Sequence, residues 1–290
     1  MRRAAEDTLG RDCERCAAEK PGPDGRPLSG EAFAAARALA PCSFPFEGAL
    51  ERPGVQFIAE VKRASPSKGL IAPDFPYLQI ARDYEAAGAA AISCLTEPNW
   101  FQGRNEYLTE IADAVRIPVL RKDFVVDEYM IYEAKALGAA AVLLICAILD
   151  DAQLAAYRQL CDELQLSALV EAHTAEEVER AAACGARVIG VNNRDLKTFN
   201  VDTRAAGGLR DLVPPNVLFV SESGIQTAAD VDAARSMRAD AVLVGEALMR
   251  AADKQAKLAE LRGSSKQNPE CLGSNDERTT SERCLRTCDC

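Results

Sequence analysis

The chain has 290 residues, with hydrophobic residues at 48% and charged residues at 27%. That is ample apolar material for a sizeable core, so a wholly disordered chain and a collagen-like or mucin-like polymer are excluded. The net charge of -10, from 34 basic and 44 acidic residues, comes without a strong basic run and argues against a nucleic-acid binder. It does not argue against a local pocket for an anionic small molecule.

Residues 1–30 are rich in charge, Gly and Pro and are expected to be poorly ordered. They lack the apolar core of a secretory signal, and no stretch of the chain approaches bilayer-crossing length, so no membrane partner is expected. A cytoplasmic location is expected, with an organellar address in residues 1–30 left open. Residues 31–54 read as a helical extension, with Glu31–Leu39 one candidate helix and Phe46–Leu50 the start of another.

From residue 55 short apolar runs alternate with helical patterns. The runs are Val55–Lys62, Ala89–Thr96, Pro118–Phe124, Ala140–Ile148, Ser167–His173, Val188–Leu196, Asn216–Gly224 and Ala241–Met249. There are eight, and their starts lie 21 to 34 residues apart, the spacing of βα units. Their nearly continuous apolar character is that of parallel strands covered on both faces. Between them Tyr77, Ile80, Ala81, Tyr84 and Ala87 recur at helical spacing, as do Met130, Ala134 and Leu137, and Leu154, Leu160 and Leu164. Thr174 with Glu177, and more weakly Thr227 with Asp230, read as helix-opening capping pairs. Gly88, Gly138 and Gly185 each stand where a helix must turn into the next strand, and Arg238 holds the fourth such place.

Eight such units over residues 55–262 predict a closed (β/α)8 TIM barrel of the α/β class. The rival doubly wound sheet lacks its G-x-G-x-x-G fingerprint. Residues 263–290 hold only Leu272 and Leu285 as large apolar residues and are expected to form a disordered, Cys-containing tail. The 11 cysteines are an odd number in a chain without a signal, which points to a reducing compartment. Cys13, Cys16, Cys284, Cys288 and Cys290 form no convincing ligand array, so no metal is expected.

In a barrel of this kind the site forms where strands end. The ionisable or polar groups there are Glu60 and Lys62 on the first run, Lys122 and Asp123 on the third, and Glu171 on the fifth. Asn192, Asn193 and Arg194 come from the sixth, and Glu222 and Ser223 from the seventh. Glu60 and Lys62 are two apart and share a face. Gly224 and Gly245, followed by Glu246, end the seventh and eighth runs, where backbone N–H groups of such barrels often hold phosphate. The segment from Arg63 to Gly69, with Ser65, Ser67 and Lys68, suggests an anion-binding flap but is no nucleotide P-loop. His173 is the chain's single histidine, so a histidine-rich metal site is impossible; the residue is expected to be structural. Trp100 is expected to anchor a loop.

The motif Glu60-Val61-Lys62-Arg63-Ala64-Ser65-Pro66-Ser67-Lys68-Gly69 resembles the signature of the indole-3-glycerol phosphate synthase family. Leu120–Phe124, Val170–His173, Gly190–Leu196, Ser221–Ile225, Val244–Met249 and the Phe101-Gln102-Gly103 turn match as well, so that the resemblance covers roughly residues 44 to 255. It implies a carboxy-lyase of tryptophan biosynthesis. Its substrate would be 1-(2-carboxyphenylamino)-1-deoxyribulose 5-phosphate, an anion bearing carboxylate and phosphate. Ring closure, decarboxylation and dehydration would follow without metal or organic cofactor. Lys122 is the expected general acid and Glu171 its partner in proton transfer, with Lys62 on substrate anions and Glu60 and Asn192 orienting groups. Ser65, Arg194, Glu222, Ser223, Gly224, Gly245 and Glu246 are expected substrate contacts. Phe124, Ile145 and Leu196 are expected apolar walls for the aromatic ring. Glu246 departs from the small hydroxyl residue that would add a phosphate donor. The resemblance also implies that residues 31–54 pack over the barrel mouth. A monomer or weak homo-oligomer is expected, and association with other enzymes of the pathway stays open. The alternatives are a Schiff-base aldolase or other sugar-phosphate barrel enzyme, and an inactive binding or scaffold barrel.

Overall fold

The computed structural model describes residues 44–194 and 205–263. Leu196, the proposed helix at Glu31–Leu39, both chain ends and the outer cysteines lie outside the described residues.

The first element is a short helix, α1 (Pro45–Leu50). The barrel strands are β1 (Gln56–Val61), β4 (Ala91–Leu95), β5 (Val119–Lys122), β6 (Ala141–Ile145), β7 (Ser167–Ala172), β8 (Val188–Asn192), β9 (Leu218–Glu222) and β10 (Ala241–Val244). A two-stranded hairpin, β2 (Ala64–Ser65) and β3 (Gly69–Leu70), follows β1. The helices between strands are α2 (Tyr77–Ala86), α3 (Asn105–Ala114), α4 (Glu128–Ala136), α5 (Asp151–Glu163), α6 (Ala175–Ala183), α7 (Ala205–Arg210) and α8 (Ala228–Ser236). After β10 come α9 (Glu246–Arg250) and α10 (Lys254–Arg262). Every barrel pairing is parallel, and β1 pairs with both β4 and β10, which closes the ring. This is the eight-stranded barrel that the βα spacing predicts. The last predicted run, Ala241–Met249, is strand only to Val244, because Gly245 opens α9.

Strand alternation divides the apolar residues into two cores. Outward side chains such as Val61, Cys94, Leu144, Val170 and Phe219 pack under the helices. Inward side chains fill the barrel with Ile58, Leu120, Leu169 and Val220, and with Ala91, Ala141, Val188 and Ala241 nearer the strand starts. Those last are small, and they leave room for Phe46, Ala49 and Leu50 of α1 in the same cluster. Pro45 opens α1, where its missing N–H costs nothing. Glu47 of α1 forms a forked ion pair with Arg187, the residue before β8, at 2.8 and 2.9 Å. Thus the described helix of the N-terminal extension plugs the barrel floor. The expectation that residues 31–54 lie over the mouth is corrected for residues 44–54, because the apolar face of α1 is what closes the wide, alanine-lined end.

The turns follow the predicted chemistry. Gly88, Gly138 and Gly185 adopt φ of 79°, 87° and 78°, and Arg238 at the fourth place adopts 57°. Thr227 and Asp230 form a complete capping box, and Asp150 with Gln153 forms another. Thr174 accepts from the Glu177 N–H at 3.2 Å.

Candidate active site

The strand ends open into one cleft of about 360 Å³. Four of its charged side chains come from alternate barrel strands: Glu60 (β1), Lys122 (β5), Glu171 (β7) and Glu222 (β9). Alternate strands supply one layer of a closed barrel, so this is an ionic layer laid over an apolar one. All three carboxylates are almost fully buried.

Two sub-clusters form. Lys62 Nζ contacts Glu60 Oε1 directly, as their shared strand face requires. Lys122 Nζ lies 3.2 Å from Glu222 Oε2 and 3.5 Å from Glu171 Oε2. One ammonium thus serves two carboxylates. Burial alone would lower the Lys122 pKa, but Glu222, Glu171 and Glu60 outweigh it and hold the amine well above the ordinary lysine range. Glu222 carries the cost of the surplus negative charge: burial first, and then the Glu171 charge, raise its pKa to about 7, with Lys122 opposing. Burial would likewise raise Glu60, yet the charges of Lys62, Lys122 and Arg194 hold it below the ordinary carboxylate range.

Glycines make the layer fit. A methyl group at Gly190 would lie 2.1 Å from Glu222 Oε1, and one at Gly245 would lie 2.3 Å from Glu60 Oε1 and 3.0 Å from Lys62 Nζ. Gly190 therefore supplies the space into which Glu222 folds, a role its strand position does not advertise. Gly245 does the same for Glu60 and Lys62, besides its place in the turn.

Of the sequence-predicted site residues, Ser65, Asn192, Arg194, Ser223, Gly224, Gly245, Glu246, Phe124 and Ile145 all line this cleft with the charged layer. Leu196 lies outside the described residues. Asn192 Oδ1 accepts from the Arg194 N–H at 3.1 Å. Ser223 and Gly224 both adopt positive φ, 65° and 86°, in the turn after β9. Buried Asn193 holds that turn, donating to Ser221 Oγ and to the Ser223 carbonyl, each at 3.1 Å. Glu246 is engaged by Arg250 Nε at 3.0 Å and faces Lys68 Nζ of the hairpin at 3.8 Å. Its carboxylate is thereby engaged by two cations.

Asp123 borders the cleft, but its carboxylate is committed elsewhere. It accepts from Thr96 Oγ1 at 2.5 Å and from the Phe124 N–H at 2.8 Å. Beside it Arg121 points outward, 2.7 Å from Glu133 and donating to Asn105, Thr96 and the Met130 carbonyl. This network fixes the strand end that aims Lys122 inward.

Sequence reasoning missed Glu97, matched the turn at Phe101 without assigning that ring to the site, and left out the apolar residues Leu95, Leu143 and Leu243. Fully buried Glu97 accepts from the N–H groups of Asn99, Trp100 and Phe101 at 2.6 to 3.0 Å and so shapes the loop after β4. Phe101 then sits 6.3 Å from Phe124, ring centre to ring centre, across the cleft wall. The signal available was Gly103 of the matched Phe101-Gln102-Gly103 turn, whose absent side chain lets the loop pack on the Leu95 carbonyl. Trp100 is 39% exposed and is held through its backbone, which fits the anchoring role only in part.

A profile described as indole-3-glycerol phosphate synthase matches residues 27–261. The chain belongs to the indole-3-glycerol phosphate synthase family. It is 57% identical over 221 residues to an indole-3-glycerol phosphate synthase of Ruminiclostridium cellulolyticum, covering 76% of this chain and 85% of that one. It is 50% identical over 232 residues to that of Lachnoclostridium phytofermentans, covering 80% and 86%. Among solved structures it superposes on a 3-hexulose-6-phosphate synthase with a TM-score of 0.58 at 18% identity, over 72% of this chain and 98% of that one. A thiamine phosphate pyrophosphorylase from Pyrococcus furiosus superposes with a TM-score of 0.55, also at 18% identity, over 72% and 93%. Those two likenesses concern the fold. No helix among the described residues is long and apolar enough to cross a membrane.

Proposed function

We propose that the cleft converts 1-(2-carboxyphenylamino)-1-deoxyribulose 5-phosphate to indole-3-glycerol phosphate, carbon dioxide and water. The observation that carries this reading is Lys122 held between Glu171 and Glu222 at the centre of a cleft with aromatic walls, in a chain of this family.

Ring closure joins the aryl carbon that bears the carboxylate to the ribulose carbonyl carbon. The carbonyl oxygen becomes an alkoxide, a strong enough base to take a proton from an ammonium. Lys122 is kept protonated by its carboxylates and supplies that proton. Glu222, 3.2 Å away and titrating near neutrality, is placed to return one. Loss of carbon dioxide restores the aromatic ring. Dehydration then removes a ring proton and expels hydroxide. Glu171 is the base, and an ammonium, that of Lys122 or Lys62, assists the leaving oxygen.

Binding follows the charges. Lys62 and Arg194 face the substrate anions, with Glu60 fixing Lys62 and Asn192 fixing the Arg194 backbone. The turns at Ser223-Gly224 and Gly245-Glu246, with Ser65, hold the phosphate, and Lys68 leaves Glu246 to join them. Phe124, Ile145 and Phe101 grip the anthranilate ring, with Leu196 assigned to the same wall by the family resemblance. The chain acts without metal or organic cofactor, as a monomer or weak homo-oligomer in the reducing cytoplasm, where thiols such as Cys94, Cys146, Cys161 and Cys184 stay free. No contact with nucleic acid or membrane is part of this reading.

A Schiff-base aldolase needs a neutral lysine nucleophile. Two carboxylates that hold Lys122 charged disfavour it. The test is Lys122→Met: ring closure falls on the order of 10³-fold or more while the protein stays folded. Near-normal turnover in that variant refutes the assignment, and borohydride trapping of a substrate adduct on the unaltered chain favours the aldolase.

A further inference from the structure

We propose that His173 is a positioning residue for Glu171, held in turn by Glu177, so that Glu171 reaches the substrate as an oriented carboxylate. The inference rests on the catalytic reading of Glu171 and deepens it.

The two oxygens of Glu171 face different cations. Oε2 faces Lys122 in the cleft, whereas Oε1 lies 3.5 Å from His173 Nε2 on the far side. The other ring nitrogen, Nδ1, lies 3.6 Å from Glu177 Oε2. The same Glu177 oxygen accepts the His173 backbone N–H at 2.6 Å, which fixes the carboxylate against the end of β7. Both ring nitrogens are buried, and among the described residues neither makes a hydrogen bond, so the two carboxylates face them at ion-pair distance. An imidazole with a carboxylate oxygen facing each nitrogen is arranged to donate toward both. His173 does not line the cleft, so it acts through Glu171 and not on substrate.

This arrangement separates two carboxylates that otherwise share one ammonium. Glu171 has Lys122 on one oxygen and His173 behind the other. Among the described residues Glu222 has Lys122 alone as an ion-pair partner, and its Oε1 has no hydrogen-bond partner. The better-supported carboxylate is suited to accept a proton from substrate with a fixed lone-pair direction. The other is suited to hold one.

Groups facing His173 come from several elements. Glu171 stands near the end of β7, just before His173, and Glu177 lies on α6, while Glu222 and Lys122 lie beyond Glu171. Behind Glu177, Cys146, which follows β6, donates its Sγ to the Glu177 carbonyl, and Arg180 donates to the Cys146 carbonyl. Burial opposes charge on the imidazole, but Glu177, Glu171 and Glu222 outweigh it and raise its pKa above 6.5.

The test combines kinetics with the convenience of a single histidine. In His173→Ala, kcat falls about tenfold or more, the scale of losing an outer partner of a functional ligand, with KM within about twofold. His173→Gln, which keeps a donor toward Glu171, recovers most of the loss. In NMR titrations the one imidazole signal of the unaltered chain titrates above 6.5, and in Glu171→Gln its midpoint falls toward 6.5. Unchanged kcat in His173→Ala overturns the proposal, as does a loss that His173→Gln does not repair or a midpoint indifferent to Glu171→Gln. Normal turnover in Glu171→Gln itself instead removes the catalytic reading of Glu171 on which the proposal stands.

Discussion

Gly245 offers a sharp perturbation, because one methyl group there reaches two functional side chains. An alanine Cβ would stand 2.3 Å from Glu60 Oε1, where ordinary contact begins at 3.4 Å. The Glu60 carboxylate must therefore retreat by about 1 Å, and Lys62, whose Nζ would lie 3.0 Å from the new methyl, moves with it. The backbone itself tolerates alanine, since φ is -113°. The displaced atoms are ends of flexible side chains, so the cost to stability stays within about 1 kcal/mol. The cost to catalysis is larger, because a misplacement of about 1 Å lowers rate on the order of 10²-fold, or about 2.7 kcal/mol in kcat/KM. Steady-state kinetics beside thermal unfolding separates the two effects, with Gly48→Ala as the control because no atom lies within 4 Å of its added methyl. A folded Gly245→Ala enzyme with unchanged kcat/KM, or a variant that loses both activity and several kcal/mol of stability, refutes the reasoning.

Three further outcomes are expected. Glu222 binds its proton more tightly when folded, its pKa rising from 4.5 to about 7, so across that window the folded state holds more protons than the unfolded one. Stability therefore falls as pH rises from about 4.5 to 7, and the melting temperature of Glu222→Gln, compared with the unaltered chain over the same range, lacks that decline; identical slopes count against the assignment. Arg121 is buried with Glu133, Asp123 and Asn105 around it, and Arg121→Ala strands two carboxylates. A loss of about 3–5 kcal/mol in denaturant unfolding is expected, and a loss under about 1 kcal/mol contradicts the network's importance. Burial raises the Cys94, Cys146 and Cys161 thiols to about 12 each. Peptide mapping after alkylation at neutral pH should find these three unmodified in the native protein and modified after denaturation, while rapid native labelling of any of them tells against its burial.

The barrel was legible because parallel strands covered on both faces must be nearly continuous in apolar residues, and eight such runs stand at βα spacing. The charged layer was legible for the complementary reason. Glu60, Lys122, Glu171 and Glu222 interrupt runs that have no other use for charge. What stayed hidden depends on neighbours distant in sequence. Nothing local says that Lys122 turns inward while Arg121 and Asp123 are spent on a structural network with Glu133 and Thr96. Gly190 reads as a weak strand residue until Glu222, from the next strand, is folded against it. The apolar face of α1 was visible as Phe46, Ala49 and Leu50, but its seat at the barrel floor follows from Arg187 and from the alanines that open that end. Glu97 carries no local signal in the sequence, and its three N–H donors come together only in the closed loop.

The most direct test supplies the purified 290-residue chain with 1-(2-carboxyphenylamino)-1-deoxyribulose 5-phosphate carrying an isotopic label in the carboxylate. It follows indole absorbance and labelled carbon dioxide together. The account predicts that the two appear in equal amounts, without added metal or cofactor, and that both fall on the order of 10³-fold or more in Lys122→Met. A folded, unaltered chain that releases neither product contradicts it.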